Sequence, residues 1–209
     1  MNKKTKILAV GDIHGDIGLV KRLAKQAKKE NVDLVIFAGD LTFFGQETKD
    51  LIAPFEKIKK PVLLVHGNHE DELTTEFLSQ VYSNARNISG AYYLKDDVGI
   101  FGAGGGNIVY VTPDNDILKL LEKGHDKIKN FKKKIMVTHM HPKGSKIEKI
   151  SKSIGVLPLE GSLSLAKAIK KFAPEILICA HVHEASGIEE KIGKTRVINV
   201  SRKARVFEI

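Results

Sequence analysis

Short apolar runs alternate with amphipathic segments along the first third of the chain. Continuous apolar runs predict strands buried on both faces, and apolar residues spaced three or four positions apart predict helices. The pattern predicts strands at 6–10, 34–38 and 62–66, and helices at 17–30 and 48–59, the second of these weakened by Pro54. This β-α-β-α-β order requires crossover connections and therefore a largely parallel sheet.

Hydrophobic patterning changes in the remainder of the chain. Two runs, 91–94 and 98–101, predict an antiparallel hairpin, and the glycine run 104–106 predicts a tight turn. The later segments predict helices at 114–130 and 163–172, and strands at 134–138, 176–180, 186–192, 195–200 and 204–209. We therefore predict an α/β fold with two sheets, one mixed and one mostly antiparallel, in a single domain spanning residues 1–209.

Composition limits the environments and partners of the chain. A single cysteine, Cys179, forms no intrachain disulfide, and no apolar run reaches the 18 residues of a membrane span, so we expect a cytoplasmic protein. The net charge of +9 favours anionic partners. Because the lysines are spread along the chain, a solvated surface is the preferred interpretation; nucleic acid is possible but not favoured. The lysine-rich stretch 143–152 is likewise predicted to be a solvated loop.

Polar residues capable of binding metals follow five of the predicted strands. Ligand sites in α/β sheets form at the carboxyl ends of strands, so these segments should converge. In an extended segment residues i and i+2 face the same way, which would pair Asp12 with His14 and His181 with His183. Gly11, Gly39 and Gly67 would permit tight turns out of the sheet. The motifs are Asp12-Ile13-His14, Gly39-Asp40, Gly67-Asn68-His69, Thr138-His139 and His181-Val182-His183.

Together these motifs predict a site for two metal ions. Four imidazoles, two carboxylates and one amide exceed the needs of one tetrahedral zinc but suit two divalent ions that share a carboxylate, for which Asp40 is the natural choice. Each motif alone is weak, but burying so many ionisable groups unpaired would be costly. His69 is the extra imidazole, placed to stabilise the transition state or protonate the leaving group. The predicted ligands are Asp12, His14, Asp40, Asn68, His139, His181 and His183.

The five motifs, in this order, resemble those of the calcineurin-like metallophosphoesterase superfamily. The resemblance covers nearly the whole chain and includes Glu70 after His69. It implies a four-layer α-β-β-α sandwich of two β-sheets flanked by helices, with His69 as the catalytic histidine. It further implies one ion held by Asp12, His14, Asp40 and His183, and another held by Asp40, Asn68, His139 and His181.

Two departures from the family pattern refine the expected activity. Ala180 stands where many members have glycine, a mild change at a backbone position. Residues 41–45 lack the arginine with which the protein phosphatases of the superfamily grip a phosphomonoester, which favours the small phosphodiesterase-like branch. We expect hydrolysis of a small phosphate ester, a phosphodiester first, by a hydroxide bridging two divalent ions. Manganese is the preferred metal, with iron, zinc, cobalt or nickel as alternatives.

Three other functions remain open at this stage: a phosphomonoesterase, a nuclease acting through the same site, and a non-catalytic metal-binding scaffold. The intact motif set argues against the scaffold, because such descendants usually lose ligands or the catalytic histidine. The sequence leaves the oligomeric state open.

Overall fold

A computed structural model describes residues 4–46, 49–154 and 157–209 of the chain. The strands within these residues are β1 (Lys6–Val10), β2 (Leu34–Ala38), β3 (Val62–Val65), β4 (Ala85–Asn87), β5 (Tyr92–Lys95), β6 (Val98–Ala103), β7 (Lys133–Thr138), β8 (Ile176–Cys179), β9 (Glu189–Ile192), β10 (Thr195–Asn199) and β11 (Arg205–Glu208). The helices are α1 (Ile17–Lys29), α2 (Ala53–Lys57), α3 (Glu72–Val81), α4 (Asp114–Asp126), α5 (Lys146–Ile154), α6 (Leu163–Phe172) and a 3-10 turn at His183–Ala185.

The first sheet has the strand order β11-β1-β2-β3-β4. Strands β1 to β4 are parallel, as the predicted crossovers require, and β11 adds an antiparallel edge. The predicted strands 6–10 and 34–38 are confirmed with the same bounds. The first sheet is therefore mixed with a parallel centre.

The second sheet, ordered β5-β6-β7-β8-β10-β9, differs from the prediction. Its outer pairs β5–β6 and β9–β10 are antiparallel, which confirms the hairpin, but β6, β7, β8 and β10 run parallel. The expectation of a mostly antiparallel sheet is wrong. The reason is that α4 and α6 act as crossovers, each returning the chain to start the next strand in the same direction.

Alternating side chains place the two sheets face to face with helices outside. In β2, Leu34 and Ile36 face the second sheet, whereas Val35 and Phe37 pack under α1 and α2. The outer face of the second sheet packs against α4, α5 and α6 through residues such as Phe101. The α-β-β-α sandwich is confirmed.

Two segments of the chain depart from the predicted elements. Helix α2 is short and has a proline in its first turn, and the predicted start at Thr48 lies outside the described residues. The stretch 143–152, predicted as a solvated loop, contains helix α5, which buries Ile147, Glu148 and Ser151. Polar residues on the buried face of α5 hid its helical period.

Cys179 is fully buried in β8, where burial raises the pKa of its thiol, so it serves as a small core residue. Within the ranges that the structure covers, no helix has the length and apolar character needed to cross a membrane.

Candidate metal centre

The parallel strands of both sheets end at one edge of the sandwich, and the predicted polar residues lie just beyond those ends. Asp12, Asp40 and Asn68 follow β1, β2 and β3 of the first sheet, and His139 and His181 follow β7 and β8 of the second. His14 and His183 complete the group and His69 adjoins it. The structure therefore brings all eight predicted residues together.

The backbone reaches this arrangement in a way that was not predicted. Asp12, His14, Asp40 and His181 have left-handed φ values of 55°, 47°, 52° and 72°, and His183 begins a 3-10 turn. The expectation that extended backbone pairs residues i and i+2 is thus wrong, although the side chains do converge. Left-handed backbone is costly for non-glycine residues and is concentrated at functional sites.

Two glycines permit the close packing of these loops. Gly39 has a φ of 86°, and a Cβ there would lie 2.5 Å from Nδ1 of His139. At Gly67 the constraint is space alone, because a Cβ would collide with the Asp40 carboxylate. Of the tight turns predicted at these two glycines, only the one at Gly39 requires left-handed backbone.

One cluster of donors forms around Asp12. Nε2 of His183 lies 3.5 Å from Oδ1 of Asp12 and 3.4 Å from Nε2 of His14. Nε2 of His14 also lies 4.0 Å from Oδ1 of Asp12 and 3.8 Å from Oδ2 of Asp40. These four residues form the set expected for the first ion.

A second cluster forms around His139. Its Nε2 lies 3.0 Å from Oδ1 of Asn68, 3.1 Å from Nδ1 of His181 and 3.4 Å from Oδ2 of Asp40. Nδ1 of His139 lies 2.9 Å from the carbonyl oxygen of Ala38, to which it can donate, which leaves Nε2 free as a ligand. These four residues form the set expected for the second ion.

The two oxygens of Asp40 have different surroundings. Oδ1 accepts the backbone N–H groups of Asn68 and His69 at 2.8 and 2.9 Å. Oδ2 faces both clusters and lies 3.9 Å from Nε2 of His69. Asp40 thus has one oxygen fixed by the protein and one directed between the two clusters.

These donors fit divalent metal ions. Two donors bound to one ion at about 2.1 Å lie about 3.0–3.4 Å apart in tetrahedral or octahedral geometry, and the separations within each cluster approach that range. Oδ1 of Asp12 is buried and has no hydrogen-bond partner among the described residues, as expected of an oxygen reserved for a cation. Its Oδ2 accepts from the Ser201 hydroxyl and, at 3.1 Å, from the backbone N–H of His181.

The electrostatics of the clusters keep the Asp12 carboxylate ionised and the His181 imidazole neutral. Burial acts to raise the pKa of Asp12, but the neighbouring imidazoles of His183 and His139 and the Ser201 hydroxyl together hold it well below its ordinary value. Burial and the nearby His139 lower the pKa of His181 well below that of free histidine. Metal ligands must be deprotonated, so both residues are in the form that binds.

Three contacts around the centre were not predicted as parts of it. Ser201, after β10, bonds Asp12. Asn107, which follows the glycine turn at 104–106, has its Oδ1 2.9 Å from Nε2 of His181 and so orients that ring. Glu70 accepts from the backbone N–H groups of Leu41, Thr42 and Gly67, which ties the second and third motifs together. Ser201 follows the end of β10, as the predicted ligands follow the ends of other strands. This position is the sequence feature that could have indicated its role.

Comparisons with known proteins identify the family and the fold. The family model for calcineurin-like phosphoesterases matches residues 5–185. Similar solved structures include TT1561 of Thermus thermophilus, with a TM-score of 0.76 and 17% identity over 98% of this chain and 99% of that chain. A novel archaeal phosphodiesterase gives a TM-score of 0.54 and 17% identity over 98% of both chains. A dimetal phosphatase from Danio rerio gives 0.61 and 10% identity over 95% of this chain and 88% of that chain.

At these identities the solved structures establish a shared fold. No curated protein sequence matches the chain significantly. The family match spans most of the chain and includes the five motifs, so the chain belongs to the calcineurin-like phosphoesterase family and is a hydrolase of phosphate esters.

Proposed function

We propose that the protein is a two-metal phosphodiesterase, in which Asp40 bridges the ions. The observation that carries this proposal is the position of Oδ2 of Asp40, 3.8 Å from Nε2 of His14 in one cluster and 3.4 Å from Nε2 of His139 in the other. Asp12, His14, Asp40 and His183 would hold one ion, and Asp40, Asn68, His139 and His181 the other. When bound, two such ions acidify the water between them and neutralise phosphate charge.

His69 is the proposed proton donor to the leaving oxygen. Its side chain is 20% exposed and its Nε2 lies 3.9 Å from Oδ2 of Asp40, so it borders the proposed metal centre while remaining outside both ligand sets. A histidine at such a point stabilises charge on the departing oxygen and protonates it.

The charge of the cleft favours a diester over a monoester. Residues 41–46 carry no charged side chain. Around the histidines the described lining adds Ile108, Leu157, Leu159 and the acidic Glu184, but neither lysine nor arginine. A nearby cation, Arg202, lies outside this lining and acts on His183. A monoester dianion needs more positive charge than a singly charged diester, so this cleft suits the diester. The similar fold of the archaeal phosphodiesterase accords with this preference.

Manganese is the metal we propose for both positions. The carboxylate and amide oxygens suit manganese, and the mixed set with imidazoles also admits iron, zinc, cobalt or nickel. Metal content measured on protein purified from its native host distinguishes these.

The proposal is tested by metal stoichiometry and by paired substrates. Protein loaded with manganese should contain two ions per chain and hydrolyse bis(p-nitrophenyl) phosphate with a higher kcat/KM than p-nitrophenyl phosphate. Asp40→Asn should reduce occupancy at both positions, whereas Asp116→Asn, a change in an exposed ion pair with Lys119, should alter neither property. A single ion per chain, or a preference for the monoester, would overturn the proposal.

A further inference from the structure

Two adjacent phenylalanines pack against His69 at the edge of the metal centre. The ring of Phe43 stacks on the His69 ring with centroids 5.3 Å apart and an interplanar angle of 27°. The Phe44 ring is tilted against the same histidine at 4.9 Å, and the two phenylalanines meet edge to face at 4.6 Å. Phe43 also approaches His14, a proposed ligand, at 6.1 Å. The pair therefore adjoins the reacting centre.

Core packing does not account for these two rings. Phe43 is 50% exposed and Phe44 is 43% exposed, so each keeps open surface. Phe44 also has a φ of 54°, a conformation that is unfavourable for a bulky side chain. The turn is nonetheless anchored, because the hydroxyl of Thr42 accepts the backbone N–H of Gly45 and donates to the buried Glu70.

We propose that Phe43 and Phe44 form a subsite for an aromatic ring carried by the leaving alcohol of the substrate. This inference rests on the proposed function, because it takes His69 as the proton donor. In the reaction a water loses one proton and its oxygen bonds to phosphorus, the bond from phosphorus to the leaving oxygen breaks, and His69 gives that oxygen its proton. The proton lost by the water then restores the protonated form of His69. The leaving group must then lie next to His69, where the two open rings stand.

The chemistry of the subsite selects an uncharged, planar group. Residues 41–46 provide two aromatic rings and no charged side chain. Aromatic rings recognise each other by stacked and edge-to-face contacts in addition to burial, and the two ring orientations here supply both geometries. A simple aryl group and a nucleobase share this chemistry.

The kinetic test compares two methyl phosphodiesters with leaving alcohols of similar acidity, phenol and a fluorinated alkanol. The wild-type, manganese-loaded protein should favour the phenyl ester in kcat/KM by about tenfold, the size expected from one or two aromatic contacts. Replacing both rings in a Phe43→Leu, Phe44→Leu variant keeps apolar bulk and should bring the ratio close to one. Phe77→Leu removes an exposed ring on α3 that makes no ring contact with His69 among the described residues, and it should leave the ratio unchanged.

Ligand binding provides a readout that is independent of turnover. Calorimetry should show that phenylphosphonate binds the wild-type protein several-fold more tightly than methylphosphonate, with the difference lost in the double variant. A second pair, AMP and ribose 5-phosphate, identifies the source of the ring: a preference for AMP indicates a nucleobase, and its absence beside a phenyl preference indicates a simple aryl group.

The outcomes separate the two proposals. If the wild-type protein hydrolyses both esters but shows no phenyl preference, or if the double variant keeps that preference, the aromatic subsite is wrong and the phosphodiesterase stands. If neither ester is hydrolysed, the proposed function fails. In that case the affinities for phenylphosphonate and methylphosphonate test the aromatic subsite, and equal affinities would overturn it.

Discussion

At the scale of single residues, the surroundings of Asp40 explain how one carboxylate can serve two ions. Two backbone N–H groups fix Oδ1, so the side chain cannot rotate without losing both bonds. Oδ2 is thereby held toward both clusters. A carboxylate oriented in this way needs no rearrangement on binding cations, which is the preorganisation that metal sites require.

His69→Ala tests the proton-donor role. We expect kcat for a phenyl diester to fall by about 10²–10⁴-fold, the usual contribution of general acid catalysis. The loss should shrink for a p-nitrophenyl diester, because a more acidic leaving alcohol needs less protonation. Turnover of both esters and metal content by mass spectrometry are the measurements.

The metal content of the His69→Ala protein serves as the internal control and should remain at the wild-type level. An equal loss for the two esters, or a loss of metal, would contradict the assigned role and indicate that His69 shapes the site instead.

The residues of the centre that belong to sequence motifs could be predicted from the sequence. Asp12-Ile13-His14 and His181-Val182-His183 each combine two donors after a strand, and together with the other three motifs they form a pattern that is hard to explain otherwise. Asn107 carries no such signal, because a single asparagine after glycines is typical of a turn. Its contact with His181 joins the segment after β6 to the segment after β8, two strands apart in the second sheet, and no local sequence pattern predicts such a contact.

At the scale of secondary-structure elements, Glu148 connects α5 to the loops that surround the centre. Its carboxylate accepts the backbone N–H groups of Gly144 at 2.5 Å and Gly161 at 3.3 Å. It also pairs with Lys152 at 3.0 Å while its own side chain is only 6% exposed. Burial acts to raise the pKa of Glu148, but these N–H groups and the Lys152 ammonium lower it to about 2.

The depressed pKa predicts a pH dependence of stability. Because the folded-state pKa of about 2 lies below the ordinary value of 4.5, the carboxylate contributes stability above pH 4.5, and this is lost as pH falls toward 2. Glu148→Gln should therefore lower the free energy of unfolding at neutral pH by about 2 kcal/mol, a figure reduced from the full shift because Lys152 is partly solvated. Urea titrations of the wild-type and Glu148→Gln proteins at several pH values measure this change in the free energy of unfolding.

A neighbouring carboxylate provides the matched control. Glu160 pairs with the same Lys152 at 3.0 Å but its side chain is 60% exposed, so Glu160→Gln should change stability much less than Glu148→Gln does. If the difference between wild type and Glu148→Gln were constant from pH 7 to pH 3, the carboxylate charge would not be its source.

The burial of each element explains why some elements were predictable from the sequence and others were not. Strand β2 is buried on both faces and therefore reads as an unbroken apolar run with clear ends. Helix α5 places Ile147 and Ile150 against the core at helical spacing, but Glu148 and Ser151 are buried beside them and interrupt the apolar stripe. Helix α3 exposes Leu73, Phe77 and Val81, so apolar residues on its outer face obscure the helical spacing of its buried residues.

At the scale of the whole molecule, the proposed centre joins the two sheets. Asp12, Asp40 and Asn68 come from the first sheet, and His139 and His181 from the second. Direct hydrogen bonds already cross this boundary, between His139 and the Ala38 carbonyl and between His181 and Asp12. Ions coordinated by residues of both sheets would add strong bonds and would offset the repulsion between the buried carboxylates of Asp12 and Asp40.

Metal binding should consequently stabilise the whole fold. A ligand that binds only the folded state adds about 2.7 kcal/mol at a concentration 100 times its Kd, which for a chain of this size raises Tm by about 5–10 °C. Thermal unfolding followed by circular dichroism, with manganese and with chelator, measures the shift. Asp40→Asn should remove most of it because both clusters share that carboxylate, whereas Asp116→Asn should keep it. A shift of equal size in Asp40→Asn would mean that manganese stabilises the protein elsewhere, because Oδ2 of Asp40 lies between the two donor sets that join the sheets.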